Sequence, residues 1–144
     1  MKQVFAALVM MMVTSSAFAN CYQFSRGQGP SQVGNVPMNG TASSVCVRVG
    51  QSGTYTELVF EGAFDPVFAE IISSSNSRSE DKAQYTLGRV AIGNEMFNAT
   101  GTLVYVETVK NAAGLSEGFL TIQAGRDFPV KFSVRERAQS GWTR

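Results

Sequence analysis

The sequence predicts an all-β domain: an antiparallel meander of about seven or eight strands, closed as a small barrel or stacked as a sandwich, behind a disulfide-tethered N-terminal loop. Three observations predict it. From Val45 onward, short runs of β-branched and aromatic residues follow one another, each ended by turn-forming residues. The clearest of these runs alternate apolar and polar side chains with the period of a half-buried strand. Two cysteines, Cys21 and Cys46, sit either side of a glycine-rich stretch that the runs do not include.

Residues 1–19 read as a cleaved export signal. Lys2 precedes the apolar run Val4 to Val13, and Ala17-Phe18-Ala19 supplies the small-x-small pattern accepted by signal peptidase, so cleavage is expected between Ala19 and Asn20. The apolar stretch is short for a membrane helix, so no transmembrane segment is expected in the mature chain. Phe18 and Asn20 occupy the positions where a lipidation signal needs Leu and a small residue, which leaves Cys21 as a thiol. An even pair of cysteines in an exported chain reads as a disulfide, here Cys21 with Cys46. Its neighbours Asn20 and Tyr22 are neutral and would not activate a thiolate.

From Phe24 to Ser44 the chain reads FSRGQGPSQVGNVPMNGTASS, rich in turn formers and without a sustained apolar period. The expectation is a tethered flexible segment, with a binding loop as the second choice. The domain plan is therefore 1–19 leader, 20–44 N-terminal segment and 45–144 a single β-domain.

The expected strands then follow in order. They are VCVRV (45–49), TYTELVFE (54–61), VFAEIIS (67–73), QYTLGRVAI (84–92), MFNATGTLVYVETV (96–109), GFLTIQA (118–124) and PVKFSVRE (129–136). In the last, Val130, Phe132 and Val134 share one face while Lys131, Ser133 and Arg135 share the other. Gly101 interrupts the longest run and marks a bulge or bend. Around Val67 a helix competes, because Asp65 and Pro66 fit its first turn, but the run is short and a strand is favoured.

Composition narrows the function classes. The chain has twelve Lys and Arg against eleven Asp and Glu, and loss of Lys2 with the leader makes the mature balance zero. A neutral domain has no basic footprint for nucleic acid. Histidine is absent, which removes the commonest general base and metal ligand; no metal and no cofactor are expected. GLSEG (114–118) fits the G-x-S-x-G pattern of hydrolases, but it lies between strands, where a nucleophile elbow needs a strand-turn-helix. Glu57 and Glu61 share a strand face about 13 Å apart, beyond glycosidase separations, although Glu70 or Glu107 could approach from another strand.

One charged residue stands out. Alternation places Arg89 on one face with Leu87 and Ala91; if that face points inward, Arg89 becomes a candidate ligand-binding residue, since a buried charge needs an anionic partner.

The expectation is thus a non-catalytic exported domain of a bacterial periplasm or extracellular space. It would bind another envelope or extracellular protein, as an inhibitor or accessory subunit. The alternatives are a calycin-like binder of a small apolar molecule or lipid, and a structural module associating through strand edges.

Overall fold

The computed structural model describes residues 17–50, 55–77 and 82–137. Most of the expected leader lies outside these residues, as does Trp142. Eleven strands are formed by the described residues: β1 (Ala17–Phe24), β2 (Gln32–Val33), β3 (Val36–Pro37), β4 (Ser44–Val49), β5 (Tyr55–Glu61), β6 (Val67–Ser77), β7 (Lys82–Ile92), β8 (Glu95–Asn98), β9 (Thr102–Lys110), β10 (Ser116–Ala124) and β11 (Val130–Glu136). One 3-10 turn at Ser25–Gly27 interrupts this pattern, and no α-helix occurs among the described residues. The stretch from Val67 is a strand, as its brevity and β-branched content favour, and it runs on through the serines to Ser77.

Eight staves close on themselves. The hydrogen-bonded order is β6-β5-β4-β1-β11-β10-β9-β7, and β7 pairs back onto β6, every contact antiparallel. The fold is therefore a barrel and not a sandwich. β8 and β9 together act as one interrupted stave: both lie on the same edge of β7, with Arg89 opposite Asn98 and Thr86 opposite Leu103. Between those pairs the chain bulges at Ala99–Gly101, where Gly101 has φ 94° and the Ala99 N–H returns to the Gly88 carbonyl at 2.9 Å. The bulge drops Ala99 into the core at 5% exposure.

β1 was not among the expected strands. It pairs with β4 on one side and β11 on the other, so the barrel cannot close without it. Its register shifts between Phe18 and Asn20, and the regular pairing begins at Asn20, the residue after the expected cleavage point.

The interior is apolar and filled. Phe60, Leu58, Leu87 and Leu120 are the largest fully buried side chains, and Phe24 meets Phe132 edge-on with ring centroids 5.8 Å apart. Small barrels pack their interiors in this way. Outward positions carry Arg48, Glu57, Glu70, Lys82 and Glu107, the reverse of a membrane barrel, whose apolar band faces out. No helix of the described residues is long and apolar enough to cross a membrane.

The segment expected to be flexible is a plug. Residues 25–43 leave β1, cross the mouth of the barrel and return to β4, burying Val33, Val36, Met38 and Ala42 in the same core as the staves. Much of its backbone is paired within itself. Gly29 N–H bonds to the Ala42 carbonyl at 3.0 Å, Ala42 to Pro30 at 2.9 Å and Met38 to Ser31 at 2.9 Å, around the β2–β3 hairpin. At its far point Gly34, with φ 62°, lies so close to Thr102 that a β-carbon would run into the threonine hydroxyl. Four apolar core side chains in nineteen residues give no readable period, yet they suffice because one face of the plug has only the mouth to fill. The N-terminal segment and the β-domain therefore share one core.

Candidate functional site

The disulfide joins Cys21 to Cys46 with Cα atoms 4.0 Å apart, two residues directly opposite in the β1–β4 ladder. Both are buried, at 4% and 2% exposure. The bridge closes the loop that contains the whole plug, so it fixes the plug's two roots to each other. It is a structural clasp.

Arg89 lies on the outer face, with its side chain 66% exposed and Nε 3.7 Å from Glu70 Oε1. Inward placement, the condition for a ligand anchor, does not occur, and the reason is a bulge. Ala69 pairs with Val90 but Ile71 with Leu87, so β7 spends two residues, Gly88 and Arg89, opposite Glu70 alone. The phase of β7 flips there: Tyr85 and Leu87 are buried before it, Val90 and Ile92 after it. Glu70 Oε1 caps the bulge by accepting the Arg89 N–H at 3.0 Å. Glycine suits position 88, since a β-carbon would meet Glu70 Oε1 at 2.6 Å and Ile72 Cγ2 at 2.8 Å and those side chains would have to shift.

Two of the candidate carboxylates, Glu57 and Glu70, are likewise held in ion pairs. Glu57 and Glu70 face each other across β5 and β6. Glu57 is bound by Arg48 at 3.0 Å and Glu70 by Arg89, giving a row of Arg48, Glu57, Glu70 and Arg89 across four staves. Like charges directly opposite destabilise a sheet, and an arginine beside each relieves that. Ser116 opens β10 in a strand-turn-strand hairpin, with its N–H on Glu136 Oε1 at 2.8 Å, so GLSEG is not at a strand-to-helix turn. Among the described residues no cluster of three or more acidic or sulfur ligands is placed to hold a metal ion.

The plugged mouth presents a different picture. Its rim is made by the plug, the β5–β6 connection at 62–66 and the β10–β11 connection at 125–129. Phe64 on the first connection is 86% exposed and Phe128 on the second 91%. The first is tied to the plug by the Phe64 N–H on the Asn39 carbonyl at 2.7 Å, and Asn39 Nδ2 donates to Asp65 Oδ2 at 3.2 Å. Between the plug and the second lies a cleft of about 380 Å³, floored by Ile122, Val130 and Phe132 and walled by Pro30, Gln32 and Phe128. No protein-family model, curated protein or solved structure matches the chain.

Sequence reasoning passed over both phenylalanines. Phe64 precedes the run from Val67 and Phe128 the run from Pro129, so neither belongs to an expected strand. The signal was available: an aromatic inside GAFDP or GRDFP has no strand face on which to pack.

Proposed function

We propose that this chain is a small exported, non-catalytic β-barrel of a bacterial envelope that binds another envelope or extracellular protein with its plugged mouth, as an inhibitor or accessory subunit. The observation that carries this reading is the pair of nearly fully exposed phenylalanines, Phe64 and Phe128, set on connections tied to or packed beside the plug. Water-exposed aromatic rings on short connections are costly to leave bare, and buried aromatic anchors dominate protein interfaces. The cleft beside Phe128 offers a pocket for one apolar side chain of the partner. A rigid frame with contacts on its loops is the common layout of recognition modules. The disulfide is compatible with an oxidising, exported location.

A calycin-like mode, with an apolar ligand held inside the barrel, is supported less well because Phe60, Leu58, Leu87 and Leu120 fill the interior. A small apolar molecule would have the mouth cleft instead. Association through strand edges is disfavoured by closure of the staves.

Site-specific photo-crosslinking in the host tests the reading. A photoreactive residue at Phe64 or Phe128 is expected to give one discrete protein adduct, while the same residue at Arg89 gives none. Failure of both mouth positions to yield an adduct would remove the proposal.

A further inference from the structure

The outer face of β7, β9 and β10 carries a second cleft, which borders the β10–β11 connection at Pro129, where Gln123 Nε2 donates to the Asp127 carbonyl at 3.4 Å. Its volume is about 560 Å³, within the span of roughly 300–1,000 Å³ typical of small-molecule sites. Strand register builds its floor. Gln84, Tyr105 and Thr121 form one row across the three strands, and Lys82, Glu107 and Phe119 form the next. Gln123 extends the floor, and Ser75, Asn76 and Pro129 stand at its margins.

The chemistry of this floor is selective. Lys82 Nζ lies 3.4 Å from Glu107 Oε2, so the cleft's two charges cancel. What remains is a set of half-buried amides, a hydroxyl and a phenol ring. Among the described residues, no hydrogen bond of the protein engages the side chains of Gln84, Tyr105 or Thr121. Amides and hydroxyls both donate and accept, which matches ligand hydroxyls that do the same. An anion would call for an arginine fork or unpaired cations, and an apolar ligand for an apolar lining. This lining has no arginine and mixes its polar groups with Ala83, Val106 and Pro129, so it fits neither. Tyr105 adds a flat ring, held by ladder pairing on both sides, and such rings present an apolar face beside a polar tip. Phe119 is exposed in the adjoining row, with Lys131 Nζ 4.9 Å from its ring centroid.

We propose that this outer cleft binds a neutral oligosaccharide, with a sugar ring stacked on Tyr105 and its hydroxyls shared among Gln84, Thr121 and Gln123. The ligand class follows from a lining that is charge-balanced, rich in two-way hydrogen-bonding groups and centred on one aromatic ring.

The test is an NMR titration of the isotope-labelled mature protein with cellohexaose, chitohexaose and maltohexaose, each up to about 10 mM, the range of weak binding. At least one is expected to produce saturable amide shifts centred on Tyr105, Thr121 and Gln123. Tyr105→Ala should weaken that binding by about tenfold or more, while Tyr105→Phe keeps most of it. Phe64→Ser, on a connection that does not line the cleft, should leave it unchanged, which separates this site from the first phenylalanine of the mouth. The proposal is overturned if none of the three sugars gives saturable shifts. Shifts that map elsewhere, survive Tyr105→Ala intact or appear only with a sulfated hexasaccharide would overturn it as well.

Discussion

Replacing both cysteines, Cys21→Ala with Cys46→Ala, should destabilise the protein by about 3.5 kcal/mol without altering its folded architecture. The magnitude comes from the loop. The sequence separation is 25, so the bridge closes a ring of 26 residues when both cysteines are counted. Chain entropy assigns such a ring roughly 12 cal/mol/K, which gives the stated value at room temperature. The native state needs little from the bridge, because Cys21 and Cys46 are already opposite each other in a ladder that runs on through Tyr22 with Val45 and Asn20 with Val47. The effect should therefore appear in the unfolded state. Urea unfolding followed by tyrosine fluorescence would show a lower midpoint and a steeper denaturant dependence, since the uncross-linked chain exposes more surface. For a domain of this size the melting temperature should fall by roughly 10–15 °C. A loss under about 1 kcal/mol with an unchanged denaturant slope would refute the entropic account. Native spectra that lose the plug resonances would instead show that the bridge holds the plug in the folded state.

Three other substitutions probe the frame. Gly88→Val forces a side chain against Glu70 and Ile72 at the β7 bulge and should cost about 1–3 kcal/mol in equilibrium unfolding. Phe60→Ala opens the centre of the interior, where Phe60 is 0% exposed, and should cost about 3–5 kcal/mol by the same measurement. Arg89→Ala removes an exposed ion pair and should cost less than about 1 kcal/mol, a difference that shrinks further in added salt.

The staves from β4 to β11 were readable because each carries its own period. Leu120 and Ile122 alternate with Thr121 and Gln123, and turn residues end each run. Gly101 likewise declared its bulge, because a glycine in the middle of an apolar run has few other uses. Two features were hidden for opposite reasons. β1 borrows residues from a stretch whose pattern is that of an export signal, so its strand content was masked by a stronger local reading. The plug has turn-former composition throughout, and its four buried residues are recognisable only once the mouth they fill exists. Arg89 shows a third kind of failure. Period-2 alternation is valid only while the register is unbroken, and the Gly88–Arg89 bulge breaks it one residue before the position in question.

The same features bear on where recognition can occur. A barrel that fills its interior with Phe60 and three leucines has spent that space on stability, so contacts with other molecules fall to its rim and its outer face. On the outer face between β4 and β7, the Arg48, Glu57, Glu70 and Arg89 charges pair with one another, which leaves that sector with little unbalanced charge to offer even though Arg48 Nε is buried without a hydrogen-bond partner. The rim is different. The plug pairs much of its backbone within itself through Gly29, Pro30, Ser31, Met38 and Ala42, and meets the first connection through the Phe64 N–H on the Asn39 carbonyl and Asn39 Nδ2 on Asp65. The two flanking connections present side chains outward, and both present phenylalanine. Two exposed aromatic rings on the connections that border the plug are what the proposed protein contact would cover.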